Sequence, residues 1–550
     1  MENEKREVEN DSLEKGINGP SGAVRVTNPE FHFDEHDLDR VQRRLKQRHV
    51  QMIAIAGTIG TGLFLGSGGA LASAGPLGAL IAYALVGTVA YSSLCAVGEM
   101  STWAPISGTF PHFAARWVDP ALGFATGWNY FYTNAISTPV EITAAVILLS
   151  FWDHDSKHVA LYTAIICVFV CLINIFGVRY FGESEFFFAI IKLTLIIGLL
   201  LVGLIVDLGG GPQGDRIGFR YWKNPGAVAG SGLEPKHIGL DRFLAILSVI
   251  VQAAFSFQGM ELVVIAASET ESPRRNIAKA VRRVFYRILV FYILGILMIG
   301  MLVAYNDADL LSLRANNTAA SSPFVIAIKR AGIKVLPHIV NGAIFTSAFS
   351  AGNSFLFCSS RVLYGLALRG QAPRIFTYCT KKGLPLFAVL FCSCFTLLSF
   401  MSVSQGSNKV FTWFVNLSTT GGFTSWFVMN VTYIFYRRGL LAQGYDPANN
   451  SYHNRWQPYI AYWGAGWTLF FILINGFSVF WDFTAAGFLT AYINIPLFLV
   501  LYIGYKVVKR TSFWKPQEMD FVTGIPTPEE TEDPIVPPKN FGEKIAEILF

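Results

Sequence analysis

The sequence predicts an all-α polytopic membrane protein of twelve transmembrane helices, built as two inverted five-helix repeats with broken first and sixth helices. Three observations predict it. The 550 residues are 52% hydrophobic and only 15% charged, where a soluble chain carries roughly a quarter charged residues, and many apolar runs reach the roughly 20 residues that cross a bilayer. The stretch Ala54 to Gly69, AIAGTIGTGLFLGSGG, places glycines at 57, 60, 62, 66, 68 and 69 inside such a run. Glycine costs about 1 kcal/mol against alanine in a helix interior, so a helix that only spans lipid has no use for so many. A second interruption, AAFSFQGMELVVIAASE, falls five spans later, with Ser256, Gln258, Gly259 and Glu261 breaking an apolar run. Paired interruptions at matching positions of two halves with an odd number of helices imply an inverted repeat.

Taken in order, residues 1–49 form a polar, charged segment read as a disordered cytoplasmic tail with no cleavable signal peptide. Spans are predicted at about 50–74, 77–99, 121–151, 158–178 and 184–206, so that the first repeat covers 50–206. An extracellular loop follows at 207–241. Further spans at about 242–268, 286–304, 338–367, 384–404 and 410–436 make a second repeat of 242–436. Residues 437–507 hold a cytoplasmic loop and two appended spans, at about 460–480 and 485–506, and 508–550 form a cytoplasmic tail. Arg43, Arg44, Lys46 and Arg48 precede the first span, and Arg274, Arg275, Lys279, Arg282 and Arg283 follow the sixth. Arg369, Arg374, Lys381 and Lys382 lie on the same face, which the positive-inside rule assigns to the cytoplasm together with both termini. Asn316, in the sequon Asn316-Asn317-Thr318 on the opposite face, is a predicted glycosylation site. The sequon Asn449-Asn450-Ser451 falls inside and is expected to go unused.

The seven cysteines lie in predicted spans or an inner loop, so no disulfide framework and no zinc pattern is expected. Basic residues flank the spans rather than forming one patch, which excludes a nucleic-acid partner. The spacing Gly57-x-x-Gly60-x-Gly62 has no βαβ context for a dinucleotide. No nucleophile–base or metal constellation appears, so the chain reads as no enzyme and as needing no cofactor.

Three ionisable side chains sit well inside spans: Glu141, Lys192 and Glu261. Charge at membrane depth is costly, and each is a functional candidate on that ground. Glu261 follows the second break and suits a proton carrier or a carboxylate that fixes the broken backbone. Lys192 bridges helices or snorkels to the interface, and Glu141 pairs with Lys192, lines a pocket or is structural. Glu99, Glu183 and Glu185 are placed at span ends, where solvation suffices. Ser347, Ser350, Asn353 and Ser354 repeat along one side of the eighth predicted span, facing a cavity or neighbouring helices.

The residues resemble the fungal amino-acid permeases of the amino acid–polyamine–organocation superfamily. The resemblance is carried by LKQRHVQMIAIAGTIGTGLFLGSG (Leu45–Gly68), AGPLG (Ala74–Gly78), GEM (Gly98–Met100), DPALGFATGWNYF (Asp119–Phe131), FGESEFFFAIIK (Phe181–Lys192), FSFQGMELV (Phe255–Val263), SRVLYGLALRGQAP (Ser360–Pro373) and KKGLP (Lys381–Pro385). It covers about residues 40 to 515. GGGPQGDRIGFRYWKNPGA (Gly209–Ala227), RRNIAKAVRR (Arg274–Arg283), SSPFVIAIKRAGIKVLPHIVNG (Ser321–Gly342) and TAYINIPLFLVL (Thr490–Leu501) are closest to the proline and neutral amino-acid permease branch. FSFQGMELV is more like the general permeases, which speaks against strict proline specificity.

That resemblance implies a LeuT-type fold and proton-coupled uptake of neutral L-amino acids, with proline in range, by alternating access at the plasma membrane. It implies that the substrate carboxylate meets the amides of Gly60, Thr61 and Gly62. The α-amino group would meet carbonyls near Thr58 and from Ser256 through Phe257 to Gln258, with Phe255 as an aromatic gate. Glu261 and Lys192 match positions that proton-coupled members use in place of sodium, with Glu141 as a third coupling candidate. Implied partners are the amino acid, the proton, membrane lipids and, through Lys5 and Lys15, ubiquitin-ligase machinery. Glu518-Met519-Asp520 resembles a di-acidic exit signal. The alternatives are an amino-acid-sensing receptor of the same fold or a permease for another amine such as γ-aminobutyrate.

Overall fold

The computed structural model describes residues 59–106, 109–176, 178–212, 214–264, 272–315, 322–380 and 383–532, and among them every regular element is helical. The long elements are α1 (Gly62–Trp103), α2 (Pro120–Leu149), α3 (Val159–Phe176), α4 (Val178–Asp207), α5 (Ile238–Phe257), α6 (Pro273–Leu302), α7 (Leu336–Leu368), α8 (Leu386–Gln405), α9 (Ser407–Ala442), α10 (Tyr459–Ile474), α11 (Ala485–Tyr492) and α12 (Asn494–Lys509). Among the described residues eight helices are long and apolar enough to cross a membrane, or nine if the bent pair α11–α12 is one span. The 33-residue α7 and the 36-residue α9 are not among the eight. Their inward faces carry Ser347, Ser350, Asn353, Ser418, Thr419, Thr420 and Asn430, all buried, and these polar residues dilute the apolar signal of helices that lie inside the bundle.

α1 joins two predicted spans in one run, divided at Gly75. Gly75 takes φ +75° and ψ 175°, a region essentially closed to other residues, and Pro76 cannot donate to the helix ladder. The loop after α4 fills the gap: the Leu77 amide donates to Ala227 O at 2.8 Å, and the Ala229 amide donates to Ala74 O at 3.0 Å. α2 begins under an Asp119 cap, whose carboxylate accepts from the Ala121 amide at 2.9 Å with Pro120 in the first turn. α5 ends at Phe257; Gln258 turns extended and Gly259 takes φ +89° before three helical residues resume at Leu262.

α2 lies at the centre, packed against α7 and α9, while α1 packs along α5. α3 and α4 expose Leu161, Phe169, Phe176, Phe187, Leu201 and Ile205 on the outer surface, as segments with a lipid neighbour do. The seven cysteines are all free.

On the positively charged face the segment after α12 folds back rather than trailing away. Met519 and Phe521 are each 3% exposed. Trp514 donates to Ala115 O at 2.9 Å, Trp117 donates to Asp520 O at 3.0 Å, and Arg116 pairs with the Asp520 carboxylate at 3.1 Å. The tripeptide Glu518-Met519-Asp520, which resembles a di-acidic exit signal in the sequence, is part of a folded clasp. Burial opposes ionisation of Asp520, but the Arg116 guanidinium and the amides of Thr523 and Val522 outweigh it and hold the carboxyl below its usual range.

Candidate functional site

The site forms where the start of α1 crosses the end of α5. A helix start leaves its first amides without partners inside the helix and carries partial positive charge. α1 opens at Gly62 with a π-helical turn, and Thr61, its N-cap, makes no side-chain cap bond. Instead Thr61 Oγ1 donates to Glu141 Oε2 at 2.9 Å. Gly62 lies directly on α5: a Cβ there would stand 2.6 Å from Ser256 Cα and 2.8 Å from Ser256 N. Ser256 Oγ donates to Gln252 O at 3.0 Å, so the 2.9 Å contact with Tyr83 is a hydrogen bond given by the tyrosine. Ser347 of α7 donates to Ile59 O at 3.2 Å and ties down the approach to α1.

The break after α5 turns Gln258 and Glu261 inward, 5% and 6% exposed. Gln258 Nε2 donates to Ser137 Oγ at 3.1 Å and more weakly to Ser418 O at 3.4 Å. A narrow crevice with no room for a water molecule is lined by Ala254, Gln258, Thr419, Gly422, Phe423 and Trp426. Gln258 Oε1 and Thr419 Oγ1 are buried there without a hydrogen bond. Such orphaned acceptors and hydroxyls are rare in folded proteins. Glu261 Oε1 accepts from Tyr130 OH at 3.3 Å.

Glu141, on α2 beside Pro139, is 2% exposed, and Lys192 on α4 is fully buried. The Lys192 ammonium interacts electrostatically with Glu141 and with Glu185. Burial at 0% excludes snorkelling for this lysine. Glu185 is the main correction to the sequence reading, which placed it at a solvated span end. It is 0% exposed, accepting from Ser350 Oγ at 2.7 Å and from Asn353 Nδ2 at 2.9 Å. α4 begins at Val178, so Glu185 lies two turns inside it. Glu99, read the same way, is 1% exposed and accepts from Tyr433 OH at 2.6 Å and the Asn454 amide at 2.8 Å. The loop after α9 folds over it. Glu183 is exposed.

The structure thus brings Gly60, Thr61, Gly62, Glu141 and Ser256 together, with Gln258 and Glu261 on the adjoining break. It turns Phe257 away: that ring stacks on Tyr292, centroids 4.3 Å apart, in the packing between α5 and α6. Phe255 sits in a small apolar cluster with Ile136, Val140, Val410 and Phe414. Thr58 and Asn316 lie outside the described residues. The crevice residues of α9, Thr419, Gly422 and Trp426, were not singled out from sequence; their signal is the small, polar run Ser418-Thr419-Thr420-Gly421-Gly422 within an apolar span. Among the described residues no cluster of histidine, cysteine or carboxylates could hold a metal ion.

The family model for amino acid permeases matches residues 49–518. A dicarboxylic amino acid permease of Saccharomyces cerevisiae is 39% identical over 94% of this chain and 86% of its own length. A proline-specific permease of Emericella nidulans is 41% identical over 90% of each chain. A general amino-acid permease of Saccharomyces cerevisiae is 40% identical over 88% of this chain and 80% of its own length. The chain belongs to the amino acid permease family.

Proposed function

We propose that this amino-acid transporter is a proton-coupled symporter that imports neutral L-amino acids across the plasma membrane, with both termini cytoplasmic and twelve spans in a LeuT-type 5+5 repeat. One observation carries the reading: the N-terminal end of α1 meets the broken end of α5 at Gly62 and Ser256. A zwitterion needs anion-seeking amides and cation-seeking carbonyls within a few ångströms. Opposed half-helix ends supply both. In this reading the amides of Gly60, Thr61 and Gly62 take the substrate carboxylate. The freed carbonyls from Ser256 to Gln258, with that of Thr58, take the ammonium. Phe255 is the aromatic gate in this reading, and Phe257 backs the site from the packing between α5 and α6.

The neutral preference follows from the charges at hand. Glu141 is engaged by Thr61 and Lys192, and Glu261 by Tyr130. Neither is left as a dedicated partner for a second substrate charge. Glu141, Lys192 and Glu261 are the groups assigned to proton coupling. Membrane lipids surround α3 and α4, Asn316 is a glycosylation site on the outer face, and ubiquitin ligases are candidate cytoplasmic partners.

The test is uptake of labelled amino acids in yeast lacking its own permeases, at pH 5 and 7.5, with and without a protonophore. Acid-favoured accumulation of neutral amino acids that collapses with protonophore is expected. Surface-localised protein that moves none of the common amino acids would overturn the reading in favour of a receptor or a carrier of another amine.

A further inference from the structure

Among the described residues, the buried charges around Lys192 do not balance. Glu141, Lys192 and Glu185 are 2%, 0% and 0% exposed, and the ammonium interacts with both carboxyls. Two carboxylates and one ammonium leave one net negative charge away from water. Such a charge is strongly disfavoured unless a proton neutralises it.

The two carboxyls are held by groups that tolerate either charge state. Glu141 Oε2 meets the Thr61 hydroxyl and Glu185 Oε2 meets the Ser350 hydroxyl, and a hydroxyl donates to a carboxylate or accepts from a carboxylic acid by rotating. Glu185 Oε1 meets Asn353, whose own oxygen accepts from Asn174 Nδ2 at 2.6 Å. The amide is thereby oriented to donate. Among the described residues, the charged neighbours of Glu185 are Lys192 on its own helix, with Glu141 beyond it on α2, while Glu183 on the same helix is exposed. α7 contributes only Ser350, Asn353 and Ser354, α3 contributes Asn174 through Asn353, and the stretch of α6 packed on α4, Leu294–Leu302, has no ionisable residue. Lys329 and Arg330 of the helix Pro323–Arg330, which also packs on α4, are exposed at its end.

Glu141 also lies beside the proposed carboxylate site, bonded to the Thr61 hydroxyl. A Cβ at Gly60 would lie 3.6 Å from Glu141 Oε1, so an ionised Glu141 would repel an anion at the α1 amides. Protonating Glu141 removes that repulsion but takes a counter-ion from Lys192.

We infer that Glu185 is a positioning residue for proton coupling: it is the second counter-ion of Lys192, and it takes the ammonium whenever Glu141 is protonated. The inference rests on the proton-symport reading above. The proton adds to a Glu141 carboxylate oxygen from the outer solution and later leaves as Glu141 ionises again to inner water. Lys192 keeps its proton throughout and shifts between partners. Glu185 stands seven residues, about 10 Å along a helix, from Lys192 toward the start of α4, the cytoplasmic end in this topology. Movement of the ammonium therefore links the α1 start to α7.

The test is the pH dependence of uptake by wild type, Glu185→Gln and Ser350→Ala, each normalised to surface protein, together with exchange of labelled for unlabelled substrate at equal pH. In Glu185→Gln the carboxylate left to the ammonium among the described residues is Glu141, whose ionised form is then favoured. The uptake midpoint is expected to move about one pH unit or more toward acid, the scale of an opposite charge at close range, while exchange persists. Ser350→Ala removes one donor from the Glu185 carboxylate and should move the midpoint the same way by a smaller step, which keeps the inference testable if the first variant misfolds. Midpoints equal to wild type in both variants, or shifts toward alkaline pH, would overturn it. A wild type whose uptake ignores pH and protonophore would overturn the symport reading and this inference together.

Discussion

At Gly62 even a methyl group would stand 2.6 Å from Ser256 Cα and 2.8 Å from its amide nitrogen, and backbone cannot swing aside as a side chain does. Gly62→Ala is expected to reduce uptake at least tenfold, the scale of a lost contact worth ~1.4 kcal/mol, with protein still reaching the surface. Near-normal transport by that variant would place the substrate elsewhere. Glu261→Gln keeps the shape and the Tyr130 contact but removes the charge. It should abolish acid-driven accumulation, and concentrative uptake at wild-type level would remove Glu261 from the proton path. Phe255 closes a cluster of six buried residues beside the break. Phe255→Ala should broaden or weaken substrate competition, and an unaltered competition profile would show that the ring does not shape the pocket. The glycines and glutamates stand out as candidates in the sequence because each is an anomaly within an apolar run. The direction of a ring was not legible there: two positions on a helix turn Phe255 and Phe257 about 200° apart, and only packing shows that Phe257 stacks on Tyr292.

Among the helices, the kink in α1 shows how local chemistry and a distant loop share one task. Gly75 supplies a backbone angle that other residues avoid, and residues 227–229 satisfy the groups that the kink and Pro76 leave free. Gly75→Ala would combine backbone strain of roughly 1–3 kcal/mol with a Cβ 2.7 Å from the Ala229 amide nitrogen. A clearly lower melting temperature in detergent is expected; an unchanged one would mean that the kink relaxes at no cost. The predicted span ends fall close to the observed helix ends for α2, at 121–151 against Pro120–Leu149, because Asp119-Pro120 is a start signal that needs no tertiary context. Glu99 and Glu185 went the other way. A carboxylate near a span end is ordinarily solvated, and nothing local announces that a loop or a facing helix will cover it.

Over the whole molecule, the C-terminal clasp ties the short helix Thr109–Trp117, the end of α9 and the start of α6 together on one face. Gln443 donates to Met519 O at 2.7 Å, and Arg274 donates to Pro526 O at 2.6 Å. Phe521 stacks on Trp117, centroids 5.6 Å apart. Phe521→Ala is expected to destabilise by ~3–5 kcal/mol, the usual cost of emptying a buried aromatic site, read as a lower melting temperature and reduced surface protein. A stable variant would show that the clasp is a passenger. The depressed Asp520 carboxyl contributes stability at neutral pH that is lost as pH falls through its folded range.

Composition, span length and misplaced glycines were enough for a helical membrane protein with two weak points, because the bilayer penalises every charge and every unpaired backbone group at depth. The family was legible as well, since its motifs lie in contiguous runs. Its relatives carry dicarboxylic, proline-specific and general permease names at nearly equal identity, so overall likeness does not choose a substrate. The meeting of Gly62 with Ser256, of Glu185 with Ser350 and Asn353, and of Gln258 with Ser137 and the α9 crevice belongs to tertiary structure alone. Each pairs residues from well over a hundred to nearly two hundred positions apart, and no local pattern encodes which helix faces which.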